Sequence, residues 1–134
     1  MNIVERVKKL DLPAGEYVVV GSGILDALHI REAQDIDIAV VPALLARLRA
    51  KGGWEEEERY GKVFLKKGDI EIIPQLSWED YPTTTEEAID SAMIIEGVPF
   101  MNLAELCKFK KALGREKDQT DIALINAYKE AHAL

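Results

Sequence analysis

The sequence is short of several things, and each shortage removes a class of function. It holds one cysteine, Cys107, in 134 residues, so no disulfide closes within it, and a reducing compartment is expected. Its two histidines, His29 and His132, stand apart from each other and from the cysteine, which leaves no His–Cys spacing for zinc. Basic residues are in deficit: 17 Lys and Arg against 24 Asp and Glu give a net charge of −7. Nonspecific nucleic-acid binding takes most of its affinity from a basic surface, so this balance argues against it while leaving room for a local basic patch. No apolar run approaches the ~20 residues that cross a bilayer, and no membrane association is expected. The opening MNIVERVKKL is charged and amphipathic, unlike a signal peptide. Repeats, low-complexity tracts and linkers are missing as well. What is present is the balance of an ordinary globular protein, 48% hydrophobic and 31% charged, expected as one domain over residues 1–134 in the cytoplasm.

Hydrophobic spacing and turn residues divide the chain. Asn2 is placed to cap a helix carrying Ile3, Val4, Val7 and Leu10, ended by Leu12-Pro13-Ala14-Gly15. Tyr17–Val20 is a β-branched run halted by Gly21-Ser22-Gly23. A short helix follows over Ile24–His29, then a strand over Gln34–Val40. Pro42 opens a helix with Leu44, Leu45 and Leu48 inward, stopped at Gly52-Gly53. Trp54–Tyr60 reads as an acidic edge strand, and Lys62–Leu65 and Ile70–Ile73 as strands joined across Lys66-Lys67-Gly68-Asp69. Thr83–Thr85 before Glu86 and Glu87 mark the start of a helix reaching about Ala92. Met93–Ile95 and Val98–Met101 flank Glu96-Gly97 as a small hairpin. Helices over Leu103–Leu113, capped by Asn102, and from Lys117 to about Ala131 close the chain around Gly114. The predicted architecture is α/β (α+β): a small mixed sheet with flanking helices, including C-terminal helices from about residue 102.

The centre of this plan is the segment from Tyr17 to Val40. Within its second strand, Asp35 and Asp37 are two apart and are expected on one face, with Ile36 and Ile38 on the other. Glu71 sits likewise between Ile70 and Ile72. Like charges so close need compensation, and a divalent cation is the simplest compensator. Three carboxylates suit Mg²⁺ or Mn²⁺, hard ions that prefer oxygen. Phosphoryl or nucleotidyl transfer is the chemistry that uses such a site. Gly21-Ser22 opens a helix, and its backbone N–H groups are suited to terminal phosphates.

Val20-Gly21-Ser22, a helix, and then Asp35-Ile36-Asp37-Ile38 resemble the hG[GS]…DhDh signature of the nucleotidyltransferase superfamily, whose fold is that of DNA polymerase β. Ile70-Glu71-Ile72 resembles its third carboxylate. Leu103, Leu106, Lys110, Arg115-Glu116-Lys117-Asp118 and Asp121-Ile122 are similar to the closing LxxLxxxK…RxKDxxDI segment of small bacterial and archaeal members. The likeness runs from about Tyr17 to Leu124. Arg31 fits an arginine that such members carry before the DxD, whereas Ala33 stands where they have a threonine. The resemblance implies a nucleotidyltransferase-like fold and a Mg²⁺- (or Mn²⁺-) dependent enzyme moving a nucleoside monophosphate from an NTP to an acceptor: a small molecule, a protein or tRNA. It implies Asp35, Asp37 and Glu71 as metal ligands, Glu71 also as a base for the acceptor hydroxyl, and Gly21, Ser22, Lys110 and Lys117 as nucleotide contacts.

Each feature has a plainer reading. Asp35 and Asp37 could line a solvated strand; the metal reading is preferred because that strand is short, apolar and follows a glycine turn. Glu71 needs no function if it decorates an edge. Lys108, Lys110, Lys111, Arg115 and Lys117 could form a solvated helix face, and their concentration in an acidic chain is what makes them candidates. Asp118 and Asp121 are expected to cap and pair within the last helices, Cys107 to sit in the core, and Trp54 and Trp78 to pack. Two alternatives to the enzyme stay open: a non-catalytic module binding a nucleotide or a partner protein, and one component of a toxin–antitoxin pair. A homodimer or a partner subunit is expected to complete so small a site.

Overall fold

The computed structural model describes residues 1–133. Asn2 caps α1 (Ile3–Lys8) by accepting from the Glu5 N–H, and Ile3, Val4 and Val7 enter the core. The run Tyr17–Val20 forms β1 and is buried at all four positions, as a central strand with both faces covered must be. The chain continues through α2 (Gly23–Ala27), β2 (Ile36–Val40), α3 (Pro42–Lys51), β3 (Glu55–Arg59), β4 (Lys62–Lys67) and β5 (Ile70–Ile73). It ends with α4 (Thr85–Asp90), β6 (Met93–Ile95), β7 (Val98–Phe100), α5 (Leu103–Leu113) and α6 (Glu116–Ala131).

The strands form one mixed seven-stranded sheet in the order β3-β4-β5-β2-β1-β7-β6. Parallel pairing joins β2 to β5 and β1 to β7; the other neighbours are antiparallel. The α/β class and the mixed sheet with flanking helices are therefore as the sequence predicts. The β2–β5 register sets Asp37 directly opposite Glu71, so both carboxylates leave the same face. Ile36, Ile38 and Ile72 leave the other and are fully buried. The C-terminal helices pack on each other and stand over the Asp37 side of β1.

Several expected boundaries move. The strand predicted over Lys62–Leu65 runs on to Lys67, because Lys66 and Lys67 pair with Glu71 and Ile70 of β5, and only Gly68-Asp69 are left to turn the chain. The strand predicted over Gln34–Val40 starts at Ile36, and Asp35 lies in an exposed bend before it. The Ile36 N–H donates to the Asp69 carbonyl at 2.8 Å; pairing with the neighbouring strand, not local sequence, decides where β2 begins. Asp35 and Asp37 are thus not alternate residues of one strand. The helix predicted to His29 ends at Ala27 because the Ile30 and Arg31 N–H groups turn back to the Leu25 carbonyl (2.8 and 3.3 Å), with His29 in the left-handed region at φ +59°. The helix predicted to Ala92 ends at Asp90, although its start is the expected one: Thr84 and Glu87 form a reciprocal capping box.

Gly23, the first residue of α2, lies so close to β1 that a Cβ there would sit 2.5 Å from Val19 Cγ1. Val19 is fully buried and has nowhere to move. Gly23→Ala is expected to destabilise the protein by about 1–3 kcal/mol, the usual cost of overpacking, measured by chemical denaturation.

Candidate functional site

A cleft of about 570 Å³ opens where the turn after β1, the segment before β2 and the two C-terminal helices meet. Gly21 and Ser22 form one wall, Asp35 and Asp37 the floor, and Lys110, Lys117 and Asp121 the opposite wall. Gly21 has φ +64°, and a Cβ on it would lie 3.5 Å from Asp37 Oδ2. Glycine therefore serves two needs at one position: the left-handed turn, and room for a carboxylate against the backbone. A second hollow of about 480 Å³, behind the Arg31–Ala33 segment, receives neither Asp37 nor Lys110.

Asp37 is half-buried, and burial is the main reason its carboxyl is pushed up to about 6; the neighbouring charges of Glu71 and Asp35 push the same way, and Lys110 and Arg59 oppose them. The three carboxylates thus feel one another. They do not close around a point: among the described residues, no three acidic, histidine or cysteine side chains come near enough to hold one metal ion. Asp35 stays exposed at the mouth. Glu71, though opposite Asp37, turns its Oε2 to Arg59 Nη2 at 2.8 Å. Asp35 and Asp37 nevertheless fit a hard divalent cation by donor chemistry: both are oxygen donors, and Asp37 is a crowded carboxylate with too little positive charge near it.

Lys110 is where the sequence misleads. The solvated-face reading fails for it: its side chain is only 5% exposed. Its ammonium donates to Ser22 Oγ at 2.9 Å and lies 2.8 Å from Asp121 Oδ2 and 3.5 Å from Asp118 Oδ1. Arg31 grips the same aspartate with two hydrogen bonds of 2.7 Å and donates to Ser22 Oγ at 2.8 Å. Asp118, in the first turn of α6, caps and pairs with Arg115 just before that helix, as expected, and is fully buried. Asp121 does not pair only within the last helices; it ties them to the Arg31 loop. A signal for Lys110 was legible: Leu103, Leu106, Cys107 and Lys110 fall at i, i+3, i+4 and i+7, which places the lysine on the buried stripe of α5. Lys117 stays exposed at the mouth beside Arg115. Ala33, in the place of a hydroxyl, uses its N–H to bind Asp26 Oδ2 at 2.9 Å. Arg59 carried no sequence signal.

Two predictions follow from these charges. Asp37 is ordinarily at 3.8 and is raised to about 6 in the folded protein. The native state therefore binds the proton more tightly than the unfolded chain does, and stability falls as pH rises through this window. At about 1.4 kcal/mol for each tenfold, ionised Asp37 costs roughly 3 kcal/mol. Asp37→Asn should raise the stability of the metal-free protein at pH 7.5, and the gain should fade toward pH 4 in denaturation curves. Asp121 is the opposite case: despite burial, Arg31 and Lys110 hold it at about 2, below 3.8. Its contribution is present at neutral pH and disappears as pH falls toward 2. Asp121→Asn leaves a buried ammonium under-compensated and should cost roughly 3 kcal/mol at pH 7, a penalty that shrinks in acid.

Compared with protein families, with curated proteins and with solved structures, the chain gave no match.

Proposed function

We propose that this protein is a Mg²⁺- or Mn²⁺-dependent nucleotidyltransferase that moves a nucleoside monophosphate from an NTP to an acceptor hydroxyl, with pyrophosphate as the leaving group. The observation that carries the reading is the Asp37 carboxylate lying against the Gly21-Ser22 turn, in a cleft whose far wall holds Lys110 and Lys117. The order of motifs along the chain, which resembles the nucleotidyltransferase superfamily, supports it.

In this reading the Gly21 and Ser22 N–H groups receive the terminal phosphates. Lys110, fixed on Ser22 Oγ, orients that turn more than it contacts the ligand, because Asp121 already answers its charge. Lys117, exposed at the mouth, is free to reach the triphosphate. Asp35 and Asp37 hold the cation, which when bound neutralises charge building on the transferred phosphoryl group. Glu71 would complete the cation site as its third carboxylate and take the proton of the acceptor hydroxyl. A second reading, a nucleotide-binding module without turnover, draws on one observation: Glu71 is engaged by Arg59, so the carboxylate needed for chemistry is withheld in this arrangement.

Thermal melts and label transfer separate the two. An NTP with Mg²⁺ or Mn²⁺ should raise the melting temperature, since a ligand bound only by the native state stabilises it, and Asp35→Asn with Asp37→Asn should abolish the shift. No metal-dependent shift with any of the four common NTPs sinks both readings. Given binding, Glu71→Gln should cut transfer of labelled nucleotide to an acceptor from cell extract by about 10²- to 10⁴-fold, while the shift survives better than turnover because Asp35 and Asp37 remain. Binding with no transfer by wild type favours the inert module, and equal transfer by both proteins removes Glu71 from the chemistry.

A further inference from the structure

Asp37 and Glu71 face each other across neighbouring parallel strands, and two carboxylates so placed repel. The cation that answers Glu71 is not the nearest in register. Lys66 is directly opposite it on β4, yet the ion pair goes to Arg59 on β3, a further strand away. The route is built by the β3–β4 hairpin. Tyr60 and Gly61 both take left-handed backbone (φ +54° and +72°), giving a two-residue turn that closes Arg59 against Lys62. Followed across the ladders, the pairings put Glu71, Lys66, Phe64 and Arg59 on one face of the sheet. The guanidinium crosses that face with its central carbon 4.0 Å from the centre of the Phe64 ring and reaches Glu71 Oε2 at 2.8 Å. Stacking on an aromatic face suits a guanidinium and limits its freedom. The same arginine has a weaker contact with Glu57 at 3.4 Å.

We infer that Arg59 is a resident counter-ion that competes with a divalent cation for Glu71. The inference rests on the reading of Asp35 and Asp37 as cation ligands. Without a cation, Arg59 holds Glu71 and tempers its repulsion of Asp37. With a cation at the aspartates, Glu71 exchanges the guanidinium for the metal. An arginine cannot give up its charge at any working pH, so the exchange answers to cation concentration, not to protons. Arg59 touches no reacting atom in this scheme; it is a positioning residue that raises the cation concentration at which the third carboxylate joins the site.

The test is Mn²⁺ binding by the full chain without nucleotide, followed by the electron paramagnetic resonance of free Mn²⁺, with thermal melts run beside it. Arg59→Met keeps an unbranched apolar stem over Phe64, and Arg59→Gln serves if the first variant melts early. Freeing Glu71 to join the cation as a further carboxylate ligand should tighten Mn²⁺ binding by roughly three- to tenfold. Glu71→Gln combined with Arg59→Met should erase that gain, and Asp37→Asn should lose Mn²⁺ in every background. A gain that survives Glu71→Gln means general charge removal and overturns the competition. Mn²⁺ held by wild type and lost in Asp37→Asn, with no gain in the folded Arg59 variants, overturns the competition alone. Mn²⁺ held by no variant overturns both the competition and the cation reading beneath it.

Discussion

The ammonium group of Lys110 is almost cut off from water, and much of the cleft is arranged to make that tolerable. A buried charge survives only with partners of opposite sign and good geometry. Lys110 finds them in two aspartates of the following helix and in the hydroxyl of the turn after β1. Meeting this one need fixes three things: the packing of α5 on α6, the orientation of the Gly21-Ser22 turn, and, through Asp121, the path of the Arg31 loop. The sheet beneath is held by apolar burial, with Ile36, Ile38, Leu65 and Ile72 fully buried. The cleft above it is held by charge.

That charge is unevenly spent. On the helix side each buried carboxylate has an arginine or lysine in contact, and Asp121 is held at about 2. On the strand side burial, with Glu71 and Asp35 pushing the same way, raises Asp37 to about 6, and Lys110 and Arg59 only partly oppose it. One aspartate is saturated with positive charge and the other is short of it, within a single cleft.

The sequence was most legible where structure is decided locally. Tyr17–Val20, Leu103–Leu113, the Glu96-Gly97 hairpin and the caps at Asn2, Thr84 and Asn102 all fell where spacing and capping chemistry put them. Gly21, Ser22, Asp35, Asp37, Lys110 and Lys117 were named from sequence, and they line one cleft. Legibility failed where a partner distant in sequence decides. The start of β2 depends on Asp69, so Asp35 slipped off the strand. The partner of Glu71 depends on the curl of a hairpin and on the ring of Phe64, which no periodicity reports. Asp121 looked like a helix residue pairing with its neighbours because its reach to Arg31 spans 90 positions.

That span has a consequence for the order in which the protein comes into being. Ser22 and Lys110 are 88 positions apart and Arg31 and Asp121 are 90 apart. At synthesis rates of about 5–20 residues per second, the glycine turn leaves the ribosome roughly 5–20 s before its anchors do. During that interval every strand after β1 is made, and the carboxylates of β2 and β5 have no opposing wall. A nascent chain that has reached Phe100 possesses the floor of the cleft and nothing to close it. The closed cleft arrives with α5 and α6 together, since neither Lys110 nor Asp121 is stably buried without the other.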